Sequence, residues 1–418
     1  MRAPASLVAA RGGVPARVPA CAMRALRIER RCTAATRFRI GASMACECAM
    51  PDERTMRRLP VRPAGRSPAC RARAGQPTRL VSPHSPRSDV MRKRGFALAL
   101  LLAAGAGIWP AAGQNNEQLG QRLFDVMSRN NPEVLPGRRV NHAKGEVFKG
   151  TFTASPGAAA LSKAPHLQGG TVPMVIRFSD SGGTLTVPDR AEPVHGMAMT
   201  FLLPDGSSTD LMCLNMPVFV SATPEDFIAF NEALQASPPG SASPTAIQRH
   251  VAAHPETQRF LAMLKPMPES FGTASYFAIH AYRLTNAAGE RHDVRWRIVP
   301  EAGELARKPE DAAASPPDAL FEEMHGRLDR GPVAFRLQVQ VAEPGDPTDN
   351  ATIAWPESRR IVDLGQILVT AAVANPAEAE KPIGFLPGKE LPGLEPGNDP
   401  FFAARAAVYA VAFRARNP

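Results

Sequence analysis

The side chains best suited to chemistry in this sequence are His142 and Tyr409, each of which has arginines close by. A histidine can take up and release a proton near neutral pH, and an ionised tyrosine can bind ferric iron. Arg405 lies four residues before Tyr409, so on a helix the two share one face and Arg405 can donate a hydrogen bond to the phenolic oxygen. Taken alone, His142 could equally be an ordinary strand histidine, and an arginine–tyrosine pair at this spacing is common on helices.

The familiar motifs of hydrolases and nucleotide-binding enzymes do not occur in residues 115–418. This stretch has no phosphate-binding P-loop, no GxSxG elbow, no HExxH zinc motif and no GxGxxG after a strand. Five of the six cysteines lie before residue 91 and only Cys213 follows, so they are not a disulfide framework for one folded domain. A single residue separates Cys46 from Cys48, and this spacing does not match the usual spacing of zinc ligands.

The net charge of +10 over 418 residues is concentrated at one end of the chain. Residues 1–90 hold 18 arginines against five acidic residues, a balance of +13, so the remaining residues carry −3. A basic face that could bind a polyanion is therefore not indicated for the folded part, and we expect no nucleic-acid partner.

Residues 91–113 have the layout of a secretory signal peptide. Basic residues at 92–94 precede an apolar run at 96–109, and small residues stand before Gln114. The run is shorter than the roughly 20 residues that a spanning helix needs, so we expect cleavage and export to the periplasm, with a retained membrane anchor as the alternative. Residues 1–90, with a single aromatic residue, are then expected to be an over-extended gene model or a disordered segment, unless they are an arginine-rich transit segment.

Residues 114–418 are predicted to form a single domain of the α+β class, an antiparallel β-barrel with helices around it. Alternating apolar and polar residues indicate strands, and apolar residues three or four apart indicate helices. Residues 375–400 are rich in proline and glycine and are predicted to be irregular. The predicted strands are 146–153, 172–178, 196–203, 210–220, 276–284, 293–299, 335–341 and 361–373, and the predicted helices are 115–131, 223–236, 245–264 and 401–413.

Five segments, in this order along the chain, resemble the haem catalase superfamily. The resemblance covers most of residues 130–416 and is closest to the short branch of that superfamily, the catalase-related peroxidases. It implies a catalase-like haem-binding core with haem b and its iron as cofactor. The segments are PGRRVNHAKGEVFKGTF (136–152), VIRFSDSGG (175–183), HGMAMTF (195–201), DLMCLNMPVF (210–219) and LPGLEPGNDPFFAARAAVY (391–409).

On one face of the haem, the resemblance implies that His142 is the distal histidine, which moves a proton between the two oxygens of peroxide. Ser179 matches the serine that fixes the ring tautomer, and Asn215 the distal asparagine that hydrogen-bonds the bound peroxide. Two positions depart from the pattern of full-length catalases: Asn141 stands where they have valine, and Val220 where phenylalanine is common. Both departures favour peroxidase turnover over rapid dismutation of hydrogen peroxide.

On the other face, the resemblance implies that Tyr409 is the proximal iron ligand and that Arg405 favours its ionised form. The haem propionates require cationic partners because an unpaired buried carboxylate is costly. The residues implied as propionate partners are Arg139, Arg177 and Arg416, and those implied as pocket lining are Val140 and Phe219.

The function implied by the resemblance is a haem-dependent peroxidase. It would reduce hydrogen peroxide, and organic hydroperoxides as a further substrate class, with a small organic electron donor and with weak catalase activity. Two alternatives stay open: a fatty-acid hydroperoxide isomerase of the allene oxide synthase type, and a non-catalytic exported haem-binding protein. The retention of both His142 and Asn215 argues against the second, because a carrier needs no proton shuttle.

Overall fold

The computed structural model describes residues 111–131 and 137–417. The predicted leader, residues 1–90, and residues 91–110 of the predicted signal peptide lie outside the described residues. The first described helix, α1 (Ala111–Asn130), places its apolar stripe in the interior through Leu123 and Val126. Within the described residues no helix is both long enough and apolar enough to cross a membrane.

The described residues contain nine β-strands in one antiparallel sheet, and eight of them close into a barrel, which confirms the predicted fold class. The strands are β1 (Gly145–Ala154), β2 (Thr171–Asp180), β3 (His195–Leu202), β4 (Ser208–Leu214), β5 (Tyr276–Thr285), β6 (Arg291–Pro300), β7 (Val333–Val341), β8 (Ile361–Ala372) and β9 (Leu394–Pro396). Around the wall the order is β4-β3-β2-β1-β8-β7-β6-β5, and the circle closes where Leu214 pairs with Phe277. β9 pairs with the second half of β5 outside this circle.

The interior of the barrel is filled by apolar side chains. Alternate residues of β7, among them Phe335 and Leu337, point inward and are completely buried. Phe178 of β2 packs against Phe335 with ring centroids 6.3 Å apart. Burying one side chain of this size stabilises the fold by about 1.5–3 kcal/mol. Because such side chains fill its interior, the barrel is a core and not a channel.

The remaining helices surround the barrel. They are α2 (Pro224–Gln235), α3 (Ala246–Ala253), α4 (Pro255–Ala262), α5 (Pro309–Ala314), α6 (Ala319–Arg330), α7 (Pro376–Glu380) and α8 (Phe401–Arg416). Helices α1, α2 and α8 share an apolar cluster of their own, which includes Val126, Ile228 and Val408. Gly120 allows α1 to cross α8 closely, because a Cβ at this position would lie 2.9 Å from the Cβ of Ala407.

The sequence prediction is wrong in three places. β4 ends at Leu214 and not at residue 220, because Pro217 cannot donate to a strand ladder. The predicted helix 245–264 is two helices, because the residue before Pro255 is extended and interrupts the helix. The segment 375–400 is not wholly irregular: a proline at the first helical position begins α7, and β9 pairs with the exposed backbone of β5.

Candidate active site

A cavity of about 940 Å³ lies between the outer face of strands β2 to β5 and helices α1, α2 and α8. His142 and Tyr409 both line it, although they lie near opposite ends of the domain sequence. The fold therefore brings together nearly all the residues predicted to form a site. Those that line the cavity are Arg139, Val140, His142, Arg177, Ser179, Phe219, Arg405, Tyr409 and Arg416.

His142 is held by its backbone and by one side-chain contact. Its φ of +53° lies in the left-handed region, which a histidine adopts only when the surroundings impose it. Its N–H donates to the carbonyl of Ser181 at 3.1 Å, and its Nδ1 lies 3.0 Å from Oγ of Ser179 on the outward face of β2. Gly196 leaves room for this pair, because a Cβ there would lie 2.9 Å from both Nδ1 and Oγ.

The imidazole of His142 is kept neutral. It faces the cavity but is surrounded by protein, and this burial, followed by the charges of Arg177 and Arg139, lowers its pKa from 6.5 to about 3. A neutral ring has one nitrogen that donates and one that accepts. With Nδ1 engaged by Ser179, Nε2 is the nitrogen left to exchange a proton in the cavity.

Asn215 is the predicted site residue whose side chain does not line the cavity. It follows β4 and is only 3% exposed. Its Oδ1 accepts a hydrogen bond from the backbone N–H of His195 at 2.9 Å, and its Nδ2 donates to the carbonyl of Pro193 at 3.4 Å. Leu214 and Phe219 line the cavity on either side of Asn215 in the sequence. The Asn215 side chain itself lies behind that wall.

Three arginines converge on another part of the cavity wall. Arg139 and Arg416 both donate to the carbonyl of Ile383, at 3.0 and 2.7 Å. Arg177 is 2% exposed, and burial, opposed by the nearby carboxylate of Glu380, lowers its pKa to about 10. Its guanidinium needs Gly145, because a Cβ there would lie 2.5 Å from its Cζ. Arg139, Arg177 and Arg416, with Glu380 among them, form a cationic cluster. The sequence predicted the three arginines but not Glu380.

Tyr409 lies on α8 with Arg405 one turn before it, as predicted from the spacing. The Nη2 of Arg405 donates to the phenolic oxygen at 3.3 Å, and its Cζ lies 5.6 Å from the centroid of the tyrosine ring. Burial lowers the pKa of Arg405, but the neighbouring Tyr409 outweighs that effect and raises it. The guanidinium of Arg405 therefore lies directly beside the phenolic oxygen of Tyr409.

His280 and Asp399 are site residues that sequence reasoning missed. His280 lines the cavity from β5, and its Nδ1 lies 2.8 Å from Oδ2 of Asp399. The other oxygen of Asp399 accepts from the N–H of Phe401 at 2.9 Å, so this carboxylate ties the start of α8 to the barrel. A histidine inside an apolar strand and an aspartate before a helix carry no joint sequence signal, because their contact exists only after the barrel forms.

The cavity opens to the surface along α2. Phe219 stacks on Phe227 with ring centroids 5.3 Å apart, and Phe230 and Leu234 continue the same face of the helix outward. Leu234 is 42% exposed, whereas Phe219 lies inside. The apolar path along α2 from Phe227 to Leu234 is therefore about 10 Å long. Gln235 and Arg129, joined by a 3.4 Å hydrogen bond, lie at its outer end.

These residues fit a haem group. The cavity offers a phenolic oxygen as a potential iron ligand and a neutral imidazole, with an aromatic wall at Phe219. The cationic cluster suits two carboxylates, and the buried Nε of Arg416 has no hydrogen-bond acceptor among the described residues.

Comparisons with known proteins indicate the family of this chain. A family model described as catalase matches residues 114–417. A catalase-related peroxidase of Mycolicibacterium paratuberculosis is 39% identical over 67% of this chain and 90% of its own length. Another, of Synechococcus elongatus, is 34% identical over 68% of this chain and 84% of its own length. A fungal catalase crystal structure superimposes with a TM-score of 0.60 at 21% identity, over 77% of this chain and 66% of that protein.

Proposed function

This chain belongs to the catalase family and is an oxidoreductase that acts on peroxide, and we propose that it is a haem peroxidase that reduces hydrogen peroxide with electrons from an organic donor. The observation that carries this proposal is the arrangement of His142 and Tyr409. They line one cavity, the first as a neutral proton acceptor and the second as a phenolic oxygen beside Arg405 that would bind the iron.

Members of the catalase family bind haem, and the chain has a residue for each part of haem b. Tyr409 would hold the iron, and Arg139, Arg177 and Arg416 would hold the propionates. Val140 and Phe219 would pack against the ring. The bound haem would supply the iron at which the oxygen–oxygen bond breaks and through which electrons pass.

His142 would handle the protons of the reaction. Its Nε2 takes a proton from one oxygen of hydrogen peroxide and returns it to the other, so that water and not hydroxide leaves. The Ser179 contact keeps Nδ1 out of this exchange and holds the ring in one orientation. In the overall reaction, hydrogen peroxide, two electrons from the donor and two protons would give two molecules of water.

Asn215 would act from behind the wall. The N–H of His195 fixes Oδ1 of Asn215, and the bond from Nδ2 to Pro193 is long at 3.4 Å. The amide nitrogen has a second N–H, but it lies outside the cavity lining, so a direct hydrogen bond to peroxide would require the side chain to turn past Leu214. We propose that it supports the charge that develops on peroxide, with a smaller effect than His142.

An organic donor is supported by the apolar path along α2. Phe227, Phe230 and Leu234 offer an aromatic or aliphatic molecule contact area from the surface to Phe219. Hydrogen peroxide alone requires no such surface. The same path would admit a fatty-acid hydroperoxide, which keeps the isomerase as the second candidate function.

The test is an absorption spectrum of the full chain loaded with haem, taken before and after one equivalent of hydrogen peroxide, followed by addition of a phenolic donor. We expect a ferric spectrum with phenolate character that changes with peroxide and returns with the donor. Absence of a Soret band would contradict haem binding, and haem that ignores peroxide would favour the carrier. Rearrangement of a fatty-acid hydroperoxide without consumption of donor would favour the isomerase.

We also propose that the chain is exported and that residues 91–113 are a signal peptide cleaved before Gln114. The basic, apolar and small-residue regions of this stretch support the proposal. Sequencing the N-terminus of the native protein tests it. A mature protein that starts at Gln114 is expected, and one that retains residues 91–113 would contradict it.

A further inference from the structure

Glu380 is a buried carboxylate in the middle of the cationic cluster. It ends α7 and is 7% exposed. Its Oε1 accepts a short hydrogen bond from Nε of Arg139 and lies 3.1 Å from Nε of Arg177. Burial raises the pKa of Glu380, but the charges of Arg177 and Arg139 outweigh it and hold that pKa below the usual value, so the group is ionised.

The segment that carries Glu380 also holds the third arginine. The N–H of Ile383 donates to the carbonyl of Glu380 at 3.0 Å, which closes a turn. The carbonyl of Ile383 then accepts from both Arg139 and Arg416. One short turn of chain therefore positions all three guanidinium groups, two through the carboxylate and two through the carbonyl.

The charges of this cluster do not balance. Three guanidinium groups face one carboxylate, which leaves a surplus of two positive charges in a largely buried site. Arg416 interacts with the charges of both Arg139 and Glu380, so the four groups form one electrostatic unit. A surplus of two is matched by a ligand that brings two carboxylates.

We propose that Glu380 is a positioning residue that aims Arg139 and Arg177 and limits the positive surplus of the cluster to two, the charge that two propionates neutralise. This inference rests on the proposed function, because it takes haem as the ligand. It assigns to Glu380 the role of moderating the attraction between the cluster and the carboxylates of the cofactor. Without this carboxylate the cluster would carry three unneutralised charges before haem binds, and it would depend more strongly on the propionates afterwards.

The test compares the binding of haem with the binding of iron protoporphyrin IX dimethyl ester, whose propionates carry no charge. Both ligands are titrated into the haem-free full chain and followed by the Soret band. For Glu380→Gln, we expect the preference for haem over the ester to rise by about tenfold, because one nearby negative charge no longer repels the propionates. The melting temperature of the haem-free protein should fall, because the arginines lose their internal partner.

Glu378→Gln is the matched control. Glu378 lies on the same short helix, is exposed and pairs with Lys381 at 2.8 Å, so its substitution changes the net charge equally without touching the cluster. We expect its ligand preference and melting temperature to equal those of the wild type. A preference that is unchanged in Glu380→Gln, or equally changed in both variants, would overturn the inference.

Glu380→Asp covers the case in which Glu380→Gln does not fold. It keeps the charge and withdraws the carboxylate, so both ligands should bind more weakly with the wild-type preference retained. A raised preference in Glu380→Asp would show that charge is not the determinant. If the wild type binds neither ligand, the proposed function itself fails, whereas intact haem binding with an unaltered preference removes only the role of Glu380.

Discussion

The inner and outer faces of β2 differ in what the same strand contributes. Ile176 and Phe178 point into the barrel and are completely buried among apolar side chains. Arg177 and Ser179, the residues that follow each of them, point outward into the cavity and contact polar partners. Successive side chains of a strand alternate between faces, so the packing that fixes the inner residues also fixes the direction of the outer ones.

The two faces of β2 show how a rigid core can support a reactive site. The inner face stabilises the fold through apolar burial, and the outer face holds buried charges that burial alone would disfavour. Substitutions on the inner face should therefore change stability and spare chemistry. Substitutions at the cavity should do the opposite.

The largest expected effect is at the cavity. His142→Ala should lower kcat/KM for peroxide-dependent donor oxidation by about 10²- to 10⁴-fold, the usual contribution of a positioned acid–base group. Haem binding, followed by the Soret band, should persist because the iron ligand is retained. The control is His325→Ala, on the surface with 46% of its side chain exposed, which should keep wild-type activity. A loss of haem on His142→Ala would make its role structural.

The inner face is tested by Phe335→Ala. This residue is completely buried, so the change should lower the free energy of unfolding by about 3–5 kcal/mol in urea titrations. The folded, haem-loaded fraction should keep the wild-type kcat. The free energy of unfolding of Phe335→Leu, which leaves a smaller cavity, should lie between those of Phe335→Ala and the wild type. An activity loss that exceeds the loss of folded protein would break the division between the two faces.

Tyr409→Phe probes the outer boundary of the cavity. Removing the phenolic oxygen should weaken haem binding by more than about 100-fold, since even outer partners of a metal ligand contribute up to that much. The unfolding free energy without haem should change little. Tyr276→Phe is the control: its hydroxyl donates to the carbonyl of Phe271 at 2.9 Å inside the core, so its loss should cost about 1 kcal/mol of stability and leave haem binding intact. An unaltered spectrum for Tyr409→Phe would contradict the assignment of the iron ligand.

The features that the sequence could predict are those set by local patterns. Alternation in β7 and the spacing of Arg405 and Tyr409 are local, so they predicted a strand, a helix and a shared helix face. The motif segments likewise led to Arg139 and Arg177. Glu380 could not be predicted this way, because it lies in a proline- and glycine-rich stretch and acquires its partners only in the folded chain.

The pairing of His280 with Asp399 was missed for the same reason, and so were two helices. His280 lies in β5 and Asp399 just before α8; each element was predicted from its own pattern, but neither pattern indicates the contact between them. Helix α5 begins at Pro309 and spans only six residues, and α6 follows Pro316 and Pro317, so prolines mask the start of both helices. Contacts between distant segments depend on barrel closure, which no local pattern encodes.

The smallest expected effect near neutral pH is a change in pH dependence. Burial, then Arg177 and Arg139, lower the pKa of His142 from 6.5 to about 3 in the folded protein. Between these values the unfolded chain binds a proton at this site and the folded protein does not, so the stability that His142 contributes is present above pH 6.5 and is lost as the pH falls towards 3. His142→Gln should therefore flatten this part of the curve of unfolding free energy against pH, measured without haem.

The pH curve also separates the two faces of the barrel. Phe335→Ala removes no titratable group, so it should lower the unfolding free energy by the same amount at every pH and leave the slope unchanged. If His142→Gln keeps the wild-type slope, the imidazole is not held neutral by the cavity, and the outer face would then lack the electrostatic character that distinguishes it from the inner one.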